Sequence, residues 1–377
     1  MIDTNNTIEF KEKRNWQCQN RINNLLELMP DYCRQFDNWC KQQYVTMTRM
    51  EYLQDIYLFF SFLIKRKPSI GTIKNIKPRD LEKLNGFDFD DYAEWLSEYK
   101  LDDDNEKEQS KHNSSVTKKR KISSLRTFFH FLYVRELIKC NPSEKAIMPQ
   151  HKKKRNKDIV VLSDKERELF LRHIDECYKI AVDEAAYANN NSEEMNKRTM
   201  LKPKLILRDK AIVYLLLGTG LRVSELCAIN CSDISFELGY INVIRKEDSD
   251  EDKRTDKVYL SPEVQKVLEE YIYHGRDLIS PNPDNYDALF ISNMHARITP
   301  RAVEKMVKHY AESVLGKKCG ITPHKLRASF GTRYYAYTGD IYATSHALNH
   351  SSVDVTASTY VKGGEEAKKM AAEIPIK

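Results

Sequence analysis

The chain has no large excess of either charge: 61 lysines and arginines against 55 aspartates and glutamates leave a formal +6 over 377 residues. Any surface for a polyanion must therefore come from local clusters of basic side chains rather than from a global field. Paired cysteines are missing too. The eight cysteines, at 18, 33, 40, 140, 177, 227, 231 and 319, form no CxxC and share no recurring spacing, which points to reduced, packed thiols and away from a disulfide scaffold. Cys227 and Cys231 could face each other one helical turn apart, but no second Cys or His pair lies nearby to complete a metal site. No stretch approaches a membrane span, and the N-terminal Met1-Ile-Asp-Thr-Asn-Asn6 lacks the basic flank and apolar run of a signal peptide, so a cytoplasmic protein is expected. Nucleotide-binding motifs and internal repeats are likewise absent from the sequence.

At this length two or more domains are expected, each with its own core. Residues 20–140 read as helices. Thr48 can cap a segment in which Leu53, Ile56, Tyr57, Phe60, Leu63 and Ile64 keep the 3.6-residue period. A second helix runs from about Val116, with Ile122, Leu125, Phe129 and Leu132 on one face. Its beginning carries Lys118, Lys119, Arg120, Lys121 and then Arg126, with no acidic residue between Lys111 and Arg135. Taken alone this is a solvated helix end; beside a phosphate-handling site it becomes a contact for a nucleic-acid backbone. Asn141-Pro142 stops the helix, and His151-Lys152-Lys153-Lys154-Arg155-Asn-Lys157 reads as an extended basic linker, with a nuclear localisation signal as the competing motif.

Beyond the linker Ser163 can cap a helix through the 170s, and residues 181–200 form a polar, Asn-rich stretch expected to be a surface insertion. Ala211–Leu217 and Leu221–Ile229 are apolar helices on either side of Gly218-Thr-Gly220. Strand-like Ile234–Phe236, Tyr240–Ile244 and Lys257–Leu260 suggest a small antiparallel sheet. Ser261-Pro262, Thr299-Pro300 and Thr322-Pro323 are three cap-then-proline helix starts.

The third of these starts places His324 and Arg327 on one face of a helix's first turn, where unpaired N–H groups and the positive end of the dipole favour an anion. An HxxR pair by itself is common and is more often structural. Arg222 follows the glycine turn with Glu225 three residues on; the bland reading is a surface ion pair, the functional one a guanidinium held flat and aimed at a phosphate. Apolar Leu221, Val223 and Leu226 favour the second. Asn349-His350 and Tyr360 follow downstream. Two arginines, two histidines and a lysine can neutralise a pentavalent phosphorane, and a tyrosine can attack it without metal, cofactor or nucleotide.

Gly218-Thr-Gly-Leu-Arg-Val-Ser-Glu-Leu226, His324-Lys-Leu-Arg327, Leu348-Asn-His350 and Val355-Thr-Ala-Ser-Thr-Tyr360 resemble, in order, the signature blocks of the tyrosine recombinase, or phage integrase, family. The likeness covers about residues 160–365, and the helical half with its basic linker is similar to the family's core-binding domain. The resemblance implies a multidomain α and α+β protein: an all-helical core-binding domain, then a mixed, mainly helical catalytic domain with a small antiparallel sheet. The expected boundaries are an extension over 1–35 with one helix (Ile22, Leu25, Leu26, Met29) and no arm-binding domain, a DNA-binding domain over 36–145, a linker over 146–160 and a catalytic domain over 161–377. Position by position, Arg222, His324, Arg327 and His350 would hold the scissile phosphate, supported by Glu225, and Tyr360 would attack it, leaving a 3′-phosphotyrosine and a free 5′-hydroxyl. A free phenol titrates at about 10, and surrounding cations favour its anion. Lys118, Lys119, Arg120, Lys121, Arg126, Lys152, Lys153, Lys154 and Arg155 would contact DNA.

The family's general acid, a lysine on a strand hairpin, matches Lys246 best. Here the pattern departs: Arg245 and the five carboxylates of Glu247–Asp252 replace small, Gly-containing surroundings, so Lys253 and Lys257 stay as alternatives. Asn349 stands where the family has glycine, and Asn is the next best tolerated residue in a left-handed turn. After Gly363-Gly364, Ala367, Met370, Ala371 and Ile374 make an apolar stripe over 364–377, a helix the resemblance implies is exchanged between protomers of a tetramer on paired DNA half-sites. The reading implied is a site-specific recombinase of a mobile element or phage, located with the DNA of the nucleoid, with room for a directionality factor. A type IB topoisomerase, sharing the chemistry, and a non-catalytic DNA-binding regulator are the competing readings.

Overall fold

The computed structural model describes residues 5–100, 110–148, 161–190, 197–245, 255–279, 282–317, 319–350 and 352–360. The chain divides into two compact units, one over Lys11–Asn156 and one built from Lys157–Glu247 and Asp252–Lys377.

The first unit contains α1 (Asn5–Leu28, from Lys11 onward), α2 (Asp31–Cys40), α3 (Thr46–Arg66), α4 (Pro78–Glu82), α5 (Gly86–Trp95) and α6 (Ser115–Val134). The only strands among its described residues, β1 (Tyr99–Lys100) and β2 (Ser110–Lys111), form one short antiparallel pair, a small addition to an otherwise helical unit. Its core is aromatic. Phe36, Phe59, Phe60, Phe89, Tyr92, Phe128, Phe129 and Phe131 are fully buried; Phe59 meets Tyr92 edge to face at 5.0 Å between centroids and stacks on Phe89 at 5.7 Å. Arg49 is buried because its Nε and Nη2 donate to the two carboxylate oxygens of Asp37, at 2.9 and 2.6 Å.

Several local expectations need correction here. Thr48 does not cap α3, which starts two residues earlier behind Val45; Ser114 caps α6 by accepting from Thr117 N. That helix ends at Val134, and Asn141-Pro142 instead opens a separate 3-10 turn, Pro142–Lys145. Residue 36 is no domain boundary. It lies inside α2, and Ile22 and Leu26 of α1, with Met29 just beyond it, sit in the same core as Phe36. An amphipathic helix beside a core of this kind is stabilised by joining it rather than by standing apart.

The second unit is organised around α8 (Lys197–Thr219), whose Leu207, Ala211, Ile212, Val213, Leu215 and Leu216 are buried on all sides. Its partners are α7 (Asp164–Asn190), α10 (Pro262–Tyr271) and α13 (Pro323–Thr338). The remaining elements are α9 (Val223–Ala228), α11 (Asp277–Ile279), α12 (Pro300–Leu315), α14 (Ile341–Leu348) and α15 (Val353–Tyr360). Ser261, Thr299 and Thr322 cap α10, α12 and α13 with a proline at the next position, as the sequence predicts. The sheet is three-stranded and antiparallel in the order β3 (Ile234–Ser235), β4 (Tyr240–Ile244), β5 (Thr255–Tyr259), with Val243 opposite Asp256 and Ile244 opposite Thr255.

Residues 181–190 continue α7, with Val182 and Tyr187 exposed as a surface stretch requires, and 197–200 begin α8; residues 191–196 lie outside the described set. Ser163 and Glu166 start α7 by mutual capping, Ser163 N donating to Glu166 Oε2 at 2.9 Å. All eight cysteines are free thiols, and burial pushes those of Cys227 and Cys231 up to about 12 and about 11.

Candidate active site

Two turns and one helix start in the second unit build the site. The first is the end of α8. Gly220 takes φ +64°, and a Cβ there would lie 2.4 Å from Cδ1 of Phe330, so both the backbone turn and the packing demand glycine. The turn frees the Gly220 carbonyl and sets Arg222 at the N-cap of α9. Glu225, in the first turn of α9, accepts from the Arg222 backbone N at 2.8 Å through Oε2 and from Arg222 Nη1 at 2.9 Å through Oε1. Glu225 thus pairs with Arg222 through both carboxylate oxygens.

The second reversal is the end of α14. Asn349 has φ +47° and ψ 59°, the left-handed conformation expected of the residue in the glycine position, and its N–H closes on His346 O at 2.9 Å. In that turn the carbonyls of Leu348 and Asn349 point away from the helix. Arg222 Nη2 donates to Asn349 O at 2.7 Å; Arg327 donates through Nη2 to Leu348 O and through Nη1 to Gly220 O, the latter at 2.6 Å.

The third element is the start of α13. Thr322 caps it and Pro323 occupies its first position, so His324 and Arg327 share the first turn as predicted. Arg327 is 3% exposed while Arg222 retains 37% of its side-chain surface. One arginine is a buried brace between two turns and the other is open to a ligand.

His350 follows the left-handed turn, its N–H donating to Ser345 O at 3.1 Å and its Nδ1 lying 2.7 Å from Thr356 Oγ1. Burial and the charges of Arg327, Arg222 and His324 lower its pKa to about 4. His324 is lowered by burial and then by Arg327, Lys325 and Arg222. Both rings are thus neutral near pH 7, hydrogen-bonding groups set among permanent cations. Because the folded state resists protonating His350, the stability this ring contributes is fully present above about 6.5 and is lost as pH falls toward about 4. Thermal melts at about pH 7 and about pH 5 should therefore show a drop at the lower pH that is smaller in His350→Gln. An equal drop in both proteins would mean that other groups carry the acid sensitivity.

Tyr360 is the last residue of α15 and is placed by its backbone alone. Lys246 and Lys253 lie outside the described residues. The remaining alternative, Lys257, is on β5 with its Nζ 4.5 Å from the centroid of the Tyr240 ring.

Arg245, which in the sequence registers only as a departure from small surroundings, is part of the site. It is 6% exposed, donates through Nη1 to Glu225 Oε2 at 3.0 Å and through Nε to Asp256 Oδ2 at 3.2 Å. Glu225 therefore joins Arg222 to the strand end that immediately precedes Lys246. The signal was present: Arg245, one residue past β4, continues the buried alternation of Ile241 and Val243, and a charge in that register needs a buried partner.

The basic residues of α6 have a mixed fate. Lys121 Nζ and both terminal nitrogens of Arg120 bond to the carboxylate of Asp55, which is 1% exposed, and Ser124 Oγ donates to it at 2.7 Å. Lys118 bonds to Ser97, and Arg126 Nη2 donates to Ala146 O at 2.8 Å. Lys121 and Arg126 are thus half-buried and tied to internal partners, while Lys119 and much of Arg120 are exposed. Lys152, Lys153, Lys154 and Arg155 lie outside the described residues, as does the stretch 364–377.

Residues 200–366 match the phage integrase family. The tyrosine recombinase XerD of Oceanobacillus iheyensis is 30% identical over 310 residues, covering 79% of this chain and 90% of that protein. XerS of Streptococcus pneumoniae (strain CGSP14) is 28% identical over 354 residues, 89% of this chain and 93% of XerS. Among solved structures, the Tn1549 transposon integrase in complex with a circular intermediate DNA aligns with a TM-score of 0.58 at 19% identity, over 90% of this chain and 98% of that one. The XerH recombinase bound to difH in a pre-cleavage complex aligns at 0.57 and 18% identity, over 96% and 93%. At such identities the two structures speak for the fold, and the XerD match speaks for the family: this chain belongs to the tyrosine recombinases, enzymes that cleave and rejoin DNA.

Proposed function

We propose that this site-specific recombinase acts on double-stranded DNA through a covalent bond at Tyr360, for the integration or excision of a mobile element. Tyr360, as the phenolate that the surrounding cations favour, attacks the scissile phosphorus, the P–O5′ bond breaks, and the departing 5′-oxygen takes a proton from Lys246. A 5′-hydroxyl of a second strand then returns that proton to Lys246 as it attacks the 3′-phosphotyrosine and releases the Tyr360 phenolate, so one phosphodiester replaces another and no external energy source is needed. Arg222, Arg327, His324 and His350 bind the non-bridging oxygens, each aimed donor being worth about 3 kcal/mol where charge builds up.

The observation that carries this reading is the double anchoring of the two arginines. Residues up to 127 positions apart are drawn onto one left-handed turn beside His350, which fixes guanidiniums in place before any substrate arrives. In this reading the first, helical unit grips the DNA and the segment 364–377 passes to a neighbouring protomer of a tetramer holding two duplexes. The likeness of the fold to recombinases solved on DNA supports the DNA partner.

The test is to incubate wild type and Tyr360→Phe with sheared DNA of the source genome, trap SDS-resistant adducts and sequence the attached ends. Adducts from wild type alone, at a few loci, are expected. Scattered adducts would indicate topoisomerase action, and no adduct even on nicked fragments that cannot religate would sink the catalytic reading.

A further inference from the structure

Thr356 is fully buried, and its hydroxyl lies 2.7 Å from Nδ1 of His350. It belongs to α15, four residues before Tyr360, so it stands one helical turn from the proposed nucleophile on the same element. The partner's chemistry is informative. A carbonyl or carboxylate facing Nδ1 can only accept and would hold the proton there, whereas a hydroxyl can donate as well. A neutral imidazole has one N–H to place. To donate to a phosphate oxygen through Nε2 it must carry the proton on Nε2, which leaves Nδ1 as an acceptor in need of a donor. A threonine hydroxyl supplies that donor, and its branched side chain has few rotamers in a helix.

Resting on the recombinase reading above, we infer that Thr356 is a positioning residue: its hydroxyl donates to Nδ1 of His350, holds the ring as the Nε2–H tautomer, and makes that state depend on the docking of the helix that carries Tyr360. The phosphate-binding set is then complete only when the nucleophile's helix is seated, so a protomer whose α15 is undocked lacks both attacking group and one phosphate donor. Two elements that the sequence separates by a short loop act as one unit.

The experiment uses a nicked duplex carrying the mapped cleavage site, which traps the covalent product, and measures single-turnover adduct formation and DNA affinity separately. Thr356→Val keeps the shape and removes the hydroxyl; it is expected to slow adduct formation about tenfold while affinity stays within about twofold, and Thr356→Ser is expected to recover most of the rate. Nitrogen spectra of 15N-histidine-labelled wild type, with His350 assigned by His350→Gln, should show the Nε2–H form, mixing with the other tautomer in Thr356→Val. The inference is overturned by a wild-type rate in Thr356→Val, by a serine variant as slow as the valine one, or by an Nδ1–H ring in wild type. The tautomer of the wild type decides the matter even if the valine variant does not fold. Wild type and Tyr360→Phe run alongside: no adduct from wild type would refute the recombinase reading itself, whereas wild-type adducts with unaltered Thr356 variants would refute this inference alone.

Discussion

Replacing Arg222 by alanine is expected to slow strand cleavage by about 10²- to 10³-fold with little loss of stability, whereas Arg327→Ala should lose both. The difference lies in what each guanidinium leaves behind. Arg222 is partly open, and when it is truncated Glu225 keeps Arg245 and the backbone N–H of residue 222 as partners. What disappears is a donor held ready for charge that develops in the transition state. Lysine cannot replace it, since a single ammonium does not satisfy Glu225, Asn349 O and a phosphate from one plane. Arg327 is buried, and its loss strands the carbonyls of Gly220 and Leu348 with a cavity beside them, each unsatisfied group costing about 1–3 kcal/mol. Single-turnover cleavage and urea unfolding, measured on both variants, separate the two effects. An Arg222→Ala protein that cleaves at the wild-type rate would remove Arg222 from the phosphate, and an Arg327→Ala protein as stable as wild type would contradict the bracing role.

Glu225→Ala should be the more damaging change to the fold, at about 3 kcal/mol or more, although its parent side chain touches no substrate. Its carboxylate is 4% exposed and holds two guanidiniums and a backbone N–H; without it Arg245 is left buried with Asp256 alone among the bonds described above. Breaking a buried pair from one side is costly because the orphaned charge stays behind. Removing both sides is much cheaper. The double variant Glu225→Ala/Arg245→Leu is therefore expected to regain most of the stability and still cleave slowly, because Arg222 has lost the group that keeps it planar and aimed. Unfolding of the three variants forms the double-mutant cycle. Should Glu225→Ala lie within about 0.5 kcal/mol of wild type, the network is not structural, and if the double variant cleaves normally, Glu225 does not orient Arg222.

The same logic separates the cations of α6. Asp55, with Arg120, Lys121 and Ser124 on one carboxylate, converts part of what reads as a basic stripe into the bolt between α3 and α6. A run of positive residues in a sequence records how many charges there are, and the fold decides which of them face outward. Here Lys119 remains the clear outward charge of the run.

By itself the sequence determined whatever depends on neighbours within a turn or two. The caps at Ser261, Thr299 and Thr322, the pairing of His324 with Arg327 on one first turn, the brace from Glu225 to Arg222 and the left-handed Asn349 are interactions within about four residues, and residue type is enough to specify them. The tertiary structure alone decided the rest: that Arg245 turns inward to share Glu225, that Asp55 claims two of the basic residues, and that Gly220, Leu348 and Asn349 offer the carbonyls which hold the arginines. Those contacts join positions tens of residues apart. Whether a buried charge finds a partner there is set by which faces the packed helices bring together, and no local periodicity records it.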